Sequence, residues 1–360
     1  MLSSIFFPQS QRPNHVVEKA TVPGDQAAIA MSNPTPAFVP VLAEKTFSSY
    51  TQDQGANYAQ NRTDYHPNLY KTIIDHHTST GGQLNTLLDV GCGPGTAARA
   101  LAPHFAHAIG LDPSEGMINS ARFLAGASST SEPIRFEIST AEDLGWHLSP
   151  PVEDSSVDLI TAATSAHWFD MARFWPRAAR VLKPGGTAAL WTTGSIRVHP
   201  SMPNAAAIQA AIDDLEERDL KPFIEPGNLL TRNLYVDLPL PWTLAPPVAD
   251  FDKAAFFRKE WGPDNSEEFF ADGGLTADLD TVERALSTTS PVQRWHEAHP
   301  DAVRTERDVV RIMRREIERL LHEADVEKGK EVVKASLRGV LLIVKKKAEF
   351  IYIYSSRSSI

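Results

Sequence analysis

Along this chain the apolar positions fall into two rhythms, and the change between them comes near residue 200. Before it, short continuous apolar runs at 87–90, 108–111, 134–138, 157–163 and 187–192 are separated by stretches at 96–101, 114–124 and 171–182 whose apolar positions recur every three to four residues. Continuous runs of that length bounded by turn residues read as strands buried on both faces, and the intervening windows read as helices. Strand and helix alternating in this way predict an α/β fold with a mostly parallel sheet and helices on both of its faces. Gly185 and Gly186 are expected to stop the helix at 171–182, with Lys183-Pro184 turning the chain into the last of these strands.

Beyond residue 200 the alternation is lost. Residues 200–325 show helical patterns broken by prolines, which predict a helical cap, inserted or appended, that would carry the substrate region. Within it, residues 305–324 place Val309, Ile312, Met313, Ile317, Leu320 and Leu321 on one stripe, with arginines on a solvated face. Residues 326–347 return to β character and are expected to close the edge of the sheet. The core then covers 41–199. Residues 1–40, rich in Pro, Ser, Gln and Asn, read as a disordered arm. Residues 348–360 form an aromatic and serine-rich tail to which no role is assigned.

Composition narrows the classes. A chain of 360 residues can hold one large domain or two. Its net charge of −10 repels phosphate backbones and anionic lipid, so neither nucleic acid nor membrane is expected as a partner. No apolar run of about 18 residues is present, so no bilayer span is expected. The single cysteine, Cys92, excludes an internal disulfide and a cysteine metal cage, and no metal site is expected. A reducing, cytoplasmic setting and a small-molecule substrate fit these features; oligomeric state is left open.

Candidate chemistry concentrates where the first strand ends. Leu87-Leu88-Asp89-Val90-Gly91-Cys92-Gly93-Pro94-Gly95-Thr96 runs from an apolar strand into a glycine loop and then a helix. Glycines let a backbone approach a ligand that side chains would exclude. Asp112 closes the next apolar run about 20 residues further on, where an acid can grip ribose hydroxyls. The spacing Gly91-x-Gly93-x-Gly95 is out of register with the G-x-G-x-x-G of dinucleotide sites, whose helix faces a pyrophosphate.

That segment resembles motif I of the class I S-adenosylmethionine-dependent methyltransferases. A wider likeness covers roughly residues 47–347. It rests on Tyr58 and residues 62–67, residues 88–96, Ala166-His167-Trp168-Phe169-Asp170, residues 182–191, Pro226-Gly227-Asn228 and Arg232-Asn233, and it resembles the fungal trans-aconitate methyltransferase family. The resemblance implies a Rossmann-like seven-stranded sheet with a helical cap, S-adenosylmethionine as cofactor, and O-methylation of a carboxylic acid. It places Asp89, Gly91, Gly93 and Gly95 beside the methionine part of the cofactor, Asp112 on the ribose, and Met117 on the adenine. Thr140, Ala141, Glu142 and Ala163, with Tyr58 and Arg62, complete the implied cofactor set. Glu142 can equally be an acid at a helix N-terminus.

His167 and Trp168 are the candidate positioning residues at the reacting edge, and His167, Arg232 and Trp261 the candidate substrate contacts. His167 would serve as a base for a hydroxyl acceptor but is not needed for a carboxylate, and it can also be a packed, hydrogen-bonded residue. A polycarboxylate calls for guanidinium clamps, for which Arg62, Arg173, Arg197, Arg232, Arg258 and Arg294 are candidates. Trp242, Trp261, Trp295, Phe256 and Phe257 could instead form an aromatic pocket for a phenolic or other hydroxyl-bearing metabolite. A nicotinamide oxidoreductase and a non-catalytic binding protein of methyltransferase-like fold are the remaining alternatives.

Overall fold

A computed structural model describes residues 50–60, 64–262, 268–271 and 276–348. The arm expected over 1–40 lies outside them, as does nearly all of the tail. Among the described residues the strands are β1 (Thr86–Val90), β2 (His107–Asp112), β3 (Arg135–Ile138), β4 (Val157–Ala163), β5 (Leu182–Thr193), β6 (Arg197–Val198), β7 (Phe251–Trp261), β8 (Thr276–Asp278), β9 (Val332–Ser336) and β10 (Gly339–Lys346). The helices are α1 (Gln52–Gln60), α2 (Pro67–Ser79), α3 (Thr96–Leu101), α4 (Glu115–Leu124), α5 (Met171–Val181), α6 (Ala205–Leu215), α7 (Pro226–Arg232), α8 (Leu279–Ser287), α9 (Ser290–Ala298) and α10 (Val309–His322).

Seven strands form one sheet in the order β3-β2-β1-β4-β5-β10-β7. The first five are parallel, and β10 runs antiparallel to both β5 and β7. Strand order reverses between β1 and β4, so the crevice at their carboxyl ends is the place where such sheets take ligands. Alternate residues of a strand face opposite layers. Leu88, Val90, Ile160 and Leu190 pack with Phe174 and Trp175 of α5 on one side. Leu87, Leu159 and Trp191 pack with Leu69 and Ile73 of α2 and with α3 on the other.

Local signals explain the helix starts nearest the crevice. Ser114 caps α4 by accepting from Met117 N (3.3 Å), and Asp170 caps α5 by accepting from Ala172 N (3.0 Å). The helix expected at 171–182 ends at Val181 and the next strand begins at once with Leu182, so Lys183-Pro184 and Gly185-Gly186, expected as a turn and a helix stop, lie inside β5, where its register with β4 shifts.

The segment 200–325 departs from the helical expectation at two strands, β7 and the short β8. Phe251–Trp261 is a strand of the main sheet, lying on its edge beside β10. Its neighbours Phe256 and Phe257 pack on the two opposite cores, and the register with β10 shifts between Ile343 and Lys345, so no simple two-residue alternation marks it in the sequence. The strands expected to close the sheet also divide. β9 pairs with β6 and β8 in a separate three-stranded sheet, while β10 is internal, between β5 and β7, and its Gly339–Lys345 positions are buried.

The remaining helices gather round a third core of their own. Ile208 and Ile212 of α6, Trp295 of α9, and Val309, Met313 and Ile317 of α10 are buried together. The α10 stripe matches the expected one, except that Val310 is buried where Ile312 is only partly so. Its arginines form ion pairs on the outer face, including Arg314 with Glu283 (2.8 Å) and Arg311 with Glu283 (3.3 Å). Among the described residues no helix is long and apolar enough to cross a membrane.

Candidate functional site

The crevice is built first by the glycine loop after β1. Gly91 and Gly93 adopt left-handed backbone (φ +62° and +53°), which residues with a Cβ rarely adopt. At Gly91 a Cβ would lie 2.6 Å from Ser165 Cβ, so the β1 and β4 loops meet there without room for a side chain. At Gly93 a Cβ would meet nothing within 4 Å, so that side of the loop is open. Ser165 ties the two loops further by donating to Val90 O (3.0 Å).

Asp112, at the end of β2, faces this loop. Its Oδ2 accepts from Gly93 N (2.8 Å) and its Oδ1 from Ser114 N (2.9 Å), with only 8% of the residue exposed. The carboxylate thus braces the glycine loop at the same position where a ribose would compete for it.

Asp89, inside β1, is fully buried. Its Oδ1 accepts from Thr161 Oγ1 (2.6 Å), while Oδ2 makes no well-formed hydrogen bond among the described residues. Burial raises its pKa from an ordinary 3.8 to about 7, against the opposing pull of the Thr161 hydroxyl and the Ala98 amide. A buried carboxylate with one oxygen lacking a well-formed hydrogen bond, two residues ahead of an open glycine loop, fits a ligand bearing donors or positive charge.

The other expected cofactor residues lie around the same end of the sheet. Met117 is buried in the first turn of α4. Thr140, Ala141 and Glu142 follow β3, and Glu142 Oε1 accepts from Asp170 N (2.8 Å), which ties this loop to the one after β4. That contact is made with the backbone N–H of the residue that caps α5; Glu142 itself lies in a turn, not in the first turn of a helix. Ala163 ends β4 and pairs with Trp191 of β5. Tyr58 sits on α1, where its ring makes an edge contact with Tyr50 (6.5 Å). The α1 entry packs on α4, since a Cβ at Gly116 would strike Tyr50 O at 2.2 Å. Arg62 lies outside the described residues.

On the acceptor side, His167 and Trp168 follow β4 as expected. His167 is 2% exposed, its Nδ1 lies 2.9 Å from Tyr235 Oη, and burial pulls its pKa down to about 3. It is therefore a neutral imidazole in this structure, hydrogen-bonded to Tyr235. Trp168 lies against Gly227 of α7, where a Cβ would come within 2.6 Å of its ring.

Of the arginines proposed as clamps, the five among the described residues each have an acidic partner within the chain, Arg173 on the exposed surface and Arg232 and Arg294 largely buried. Arg232 pairs with Glu216, both largely buried, beside a cavity of about 20 Å³ that Asn228 and Val292 also line. Arg294 donates to Phe223 O (2.8 Å) and Asn228 Oδ1 (2.7 Å) and pairs with Glu225 (3.2 Å). Arg258 donates to Leu234 O (2.8 Å) and pairs with Glu260 (2.6 Å), Arg197 meets Asp213 (3.6 Å), and Arg173 meets Asp143 (3.8 Å). Trp261 is not in a helical cap. It ends β7, is 2% exposed, and packs edge-on against Phe269 (5.5 Å).

Several residues at this edge were not singled out from the sequence. Tyr65 Oη lies 2.8 Å from Thr164 Oγ1, Tyr70 donates to Asp64 Oδ1 (2.7 Å), and both rings stand edge-on to the buried Trp191. Asp64 and Tyr65 lie inside the 62–67 segment on which the resemblance rests, and Tyr70 lies three residues beyond it.

Comparison with known proteins agrees with this geometry. Residues 88–190, which run from β1 into β5, match the family model described as a methyltransferase domain. A Saccharomyces cerevisiae protein named as an S-adenosylmethionine-dependent methyltransferase is 30% identical over 138 residues, 38% of this chain and 45% of that protein. The methyltransferase cfoB of Aspergillus candidus is 28% identical over 283 residues, 70% of this chain and 83% of that protein. A solved structure from Anaeromyxobacter dehalogenans, provisionally described as a type II methyltransferase, superposes with a TM-score of 0.52 at 22% identity, covering 80% of this chain and 99% of that one. The chain spans about half the length of the curated relatives it matches first. Residues 88–190 carry a methyltransferase domain, and the chain has a Rossmann-like methyltransferase fold.

Proposed function

We propose that this chain is an S-adenosylmethionine-dependent methyltransferase acting on a small-molecule acceptor, with transfer to a carboxylate oxygen as the preferred chemistry. The observation that carries the cofactor assignment is Asp112 closing on Gly93, with the open face of the glycine loop beside it. Asp89, Gly91, Gly93 and Gly95 would hold the amino-acid part, and Asp112 the ribose. Met117 and the 140–142 loop would border the adenine. Bound there, the cofactor supplies a methyl group already made electrophilic by its sulfonium.

What remains for the protein is alignment and exclusion of water. A carboxylate reaches the site already anionic, so it asks for no base, and His167 stands neutral. The engaged arginines weigh against a polycarboxylate gripped by guanidinium forks, and so against trans-aconitate itself among carboxylates. A carboxylate held by neutral hydrogen-bond donors fits better. The acidic net charge supports a small molecule over nucleic acid, and the buried Cys92 suits a reducing compartment such as the cytoplasm.

Incubation with methyl-labelled cofactor and a panel of monocarboxylates, aconitate, isopropylmalate and phenols tests the acceptor class. Label released by mild base, as an ester must be, is the expected result. Base-stable label on phenols alone would reject the carboxylate reading.

A further inference from the structure

Tyr235 and His167 meet across 68 positions of sequence. Tyr235 follows α7, and both it and Leu234 have left-handed backbone (φ +58° and +51°), a conformation seldom taken by residues with large side chains. Arg258 holds the Leu234 carbonyl at 2.8 Å, which fixes this turn. The turn drives the phenol inward to 1% exposure, with its oxygen 2.9 Å from His167 Nδ1. The other ring nitrogen, Nε2, has no hydrogen-bond partner among the described residues. Trp168 flanks the imidazole at 4.7 Å between ring centroids, and Tyr235 is the titratable group in contact with it.

Proton placement in this pair follows from acidity. A phenol O–H is a stronger hydrogen-bond donor than a neutral imidazole N–H, and an imine nitrogen is a better acceptor than a phenol oxygen. The backbone N–H groups of Ala166 and His167 donate to the Tyr235 oxygen, with the Thr192 hydroxyl beside it, so the phenol keeps its own proton to donate to Nδ1, which puts the ring proton on Nε2. Burial keeps both partners neutral, holding the imidazole pKa near 3 and raising that of the phenol.

We infer that Tyr235 is a positioning residue that fixes His167 as the Nε2–H tautomer, so that the ring presents a neutral N–H donor, and not a base, at the acceptor edge. The catalytic meaning of this donor rests on the methyltransferase reading; the tautomer itself does not. A donor at this place suits an acceptor that arrives as an anion, because methylation of a carboxylate oxygen leaves no proton to be removed. The loop that carries His167 is pinned to the end of β1 through Ser165, and its Trp168 is seated on Gly227, so this loop is held between the glycine loop and α7.

Two-bond proton–nitrogen correlation spectra of the full chain labelled with ¹⁵N-histidine read the tautomer directly, with His167→Gln supplying the assignment. The expected spectrum shows a pyridine-like Nδ1 and a pyrrole-like Nε2, unchanged from about pH 5.5 to about pH 8.5 because the ring does not titrate there. Tyr235→Phe should lower the ratio of Nε2–H to Nδ1–H forms about tenfold, the worth of one hydrogen bond. A pyrrole-like Nδ1 in the wild type, a titration midpoint near the ordinary histidine value, or an unchanged ratio in Tyr235→Phe would overturn the inference. If Tyr235→Phe fails to fold, the wild-type spectrum and its pH series still decide. Calorimetry with S-adenosylhomocysteine on the same samples separates the two readings, since a chain that shows the tautomer but binds no cofactor would sink the function and leave the tautomer standing.

Discussion

The cofactor half of the sheet and the region beyond residue 200 are held together by different means. In the first, the loops that follow adjacent parallel strands are tied mostly by backbone groups and short side chains. Asp112 reaches Gly93 N and Ser114 N, and the glycines leave one side open. In the second, long charged side chains cross between helices, as Arg232 does to Glu216 and Arg294 to Glu225 and Asn228. The first arrangement keeps polar groups aimed at a space; the second consumes them in holding helices. A charged residue beyond residue 200 is thus evidence of architecture before it is evidence of a substrate.

That contrast is broken most forcefully at the buried pair. Arg232→Met leaves Glu216 buried without its counter-charge and is expected to destabilise the fold by about 3–5 kcal/mol. Cofactor affinity of the folded variant should stay within about twofold of wild type, because the pair lies away from the glycine loop. Denaturant titration and calorimetry check the two halves. A variant of unchanged stability that lost acceptor turnover alone would restore Arg232 as a substrate clamp.

A smaller effect is expected where the two regions touch. Gly227→Ala puts a Cβ at 2.6 Å from the Trp168 ring and 2.8 Å from His167 O. Overpacking of that kind costs about 1–3 kcal/mol. The displacement should fall on acceptor turnover, with cofactor binding nearly intact, and steady-state kinetics in both substrates measure it. Equal losses toward cofactor and acceptor would mean that the two regions are not separable at this seam.

A pH dependence is confined to the cofactor half. Asp89 has a folded pKa raised from 3.8 to about 7, so the folded chain holds this proton more tightly than the unfolded chain does. Stability from this group is therefore fully present at low pH and declines as pH rises between those two values, with no further change above them. The stability difference between Asp89→Asn and wild type should grow in favour of the variant from about pH 4 to about pH 7 and then level off. A difference independent of pH, measured by denaturant midpoints, would show that Asp89 is ionised throughout.

The same contrast governs how much could be read from the sequence. The glycine loop, Asp112 and the strands at 157–163 and 187–192 were legible because each depends on neighbours in the chain: apolar runs, turn residues and a carboxylate at a strand end. Strand β7 was not, because an edge strand with a register shift and phenylalanines facing both cores has no clean period. The internal place of β10 was hidden for a related reason, since strand order depends on pairing between segments far apart. Arg232 was identified as a candidate by residue type, but its partner is chosen by helix packing that no local pattern records. The Tyr235–His167 contact spans 68 residues and depends on a left-handed turn at Leu234 and Tyr235, for which neither residue type gives a cue.

Calorimetry of S-adenosylhomocysteine binding to the wild type, Asp112→Ala and Arg232→Met tests the central assignment most directly. The wild type is expected to bind, Asp112→Ala to lose about 1.5–3 kcal/mol through its missing charge-assisted hydrogen bonds, and folded Arg232→Met to bind as the wild type does. No binding by the wild type, or an Asp112→Ala affinity equal to it, would contradict the placement of the cofactor on this loop.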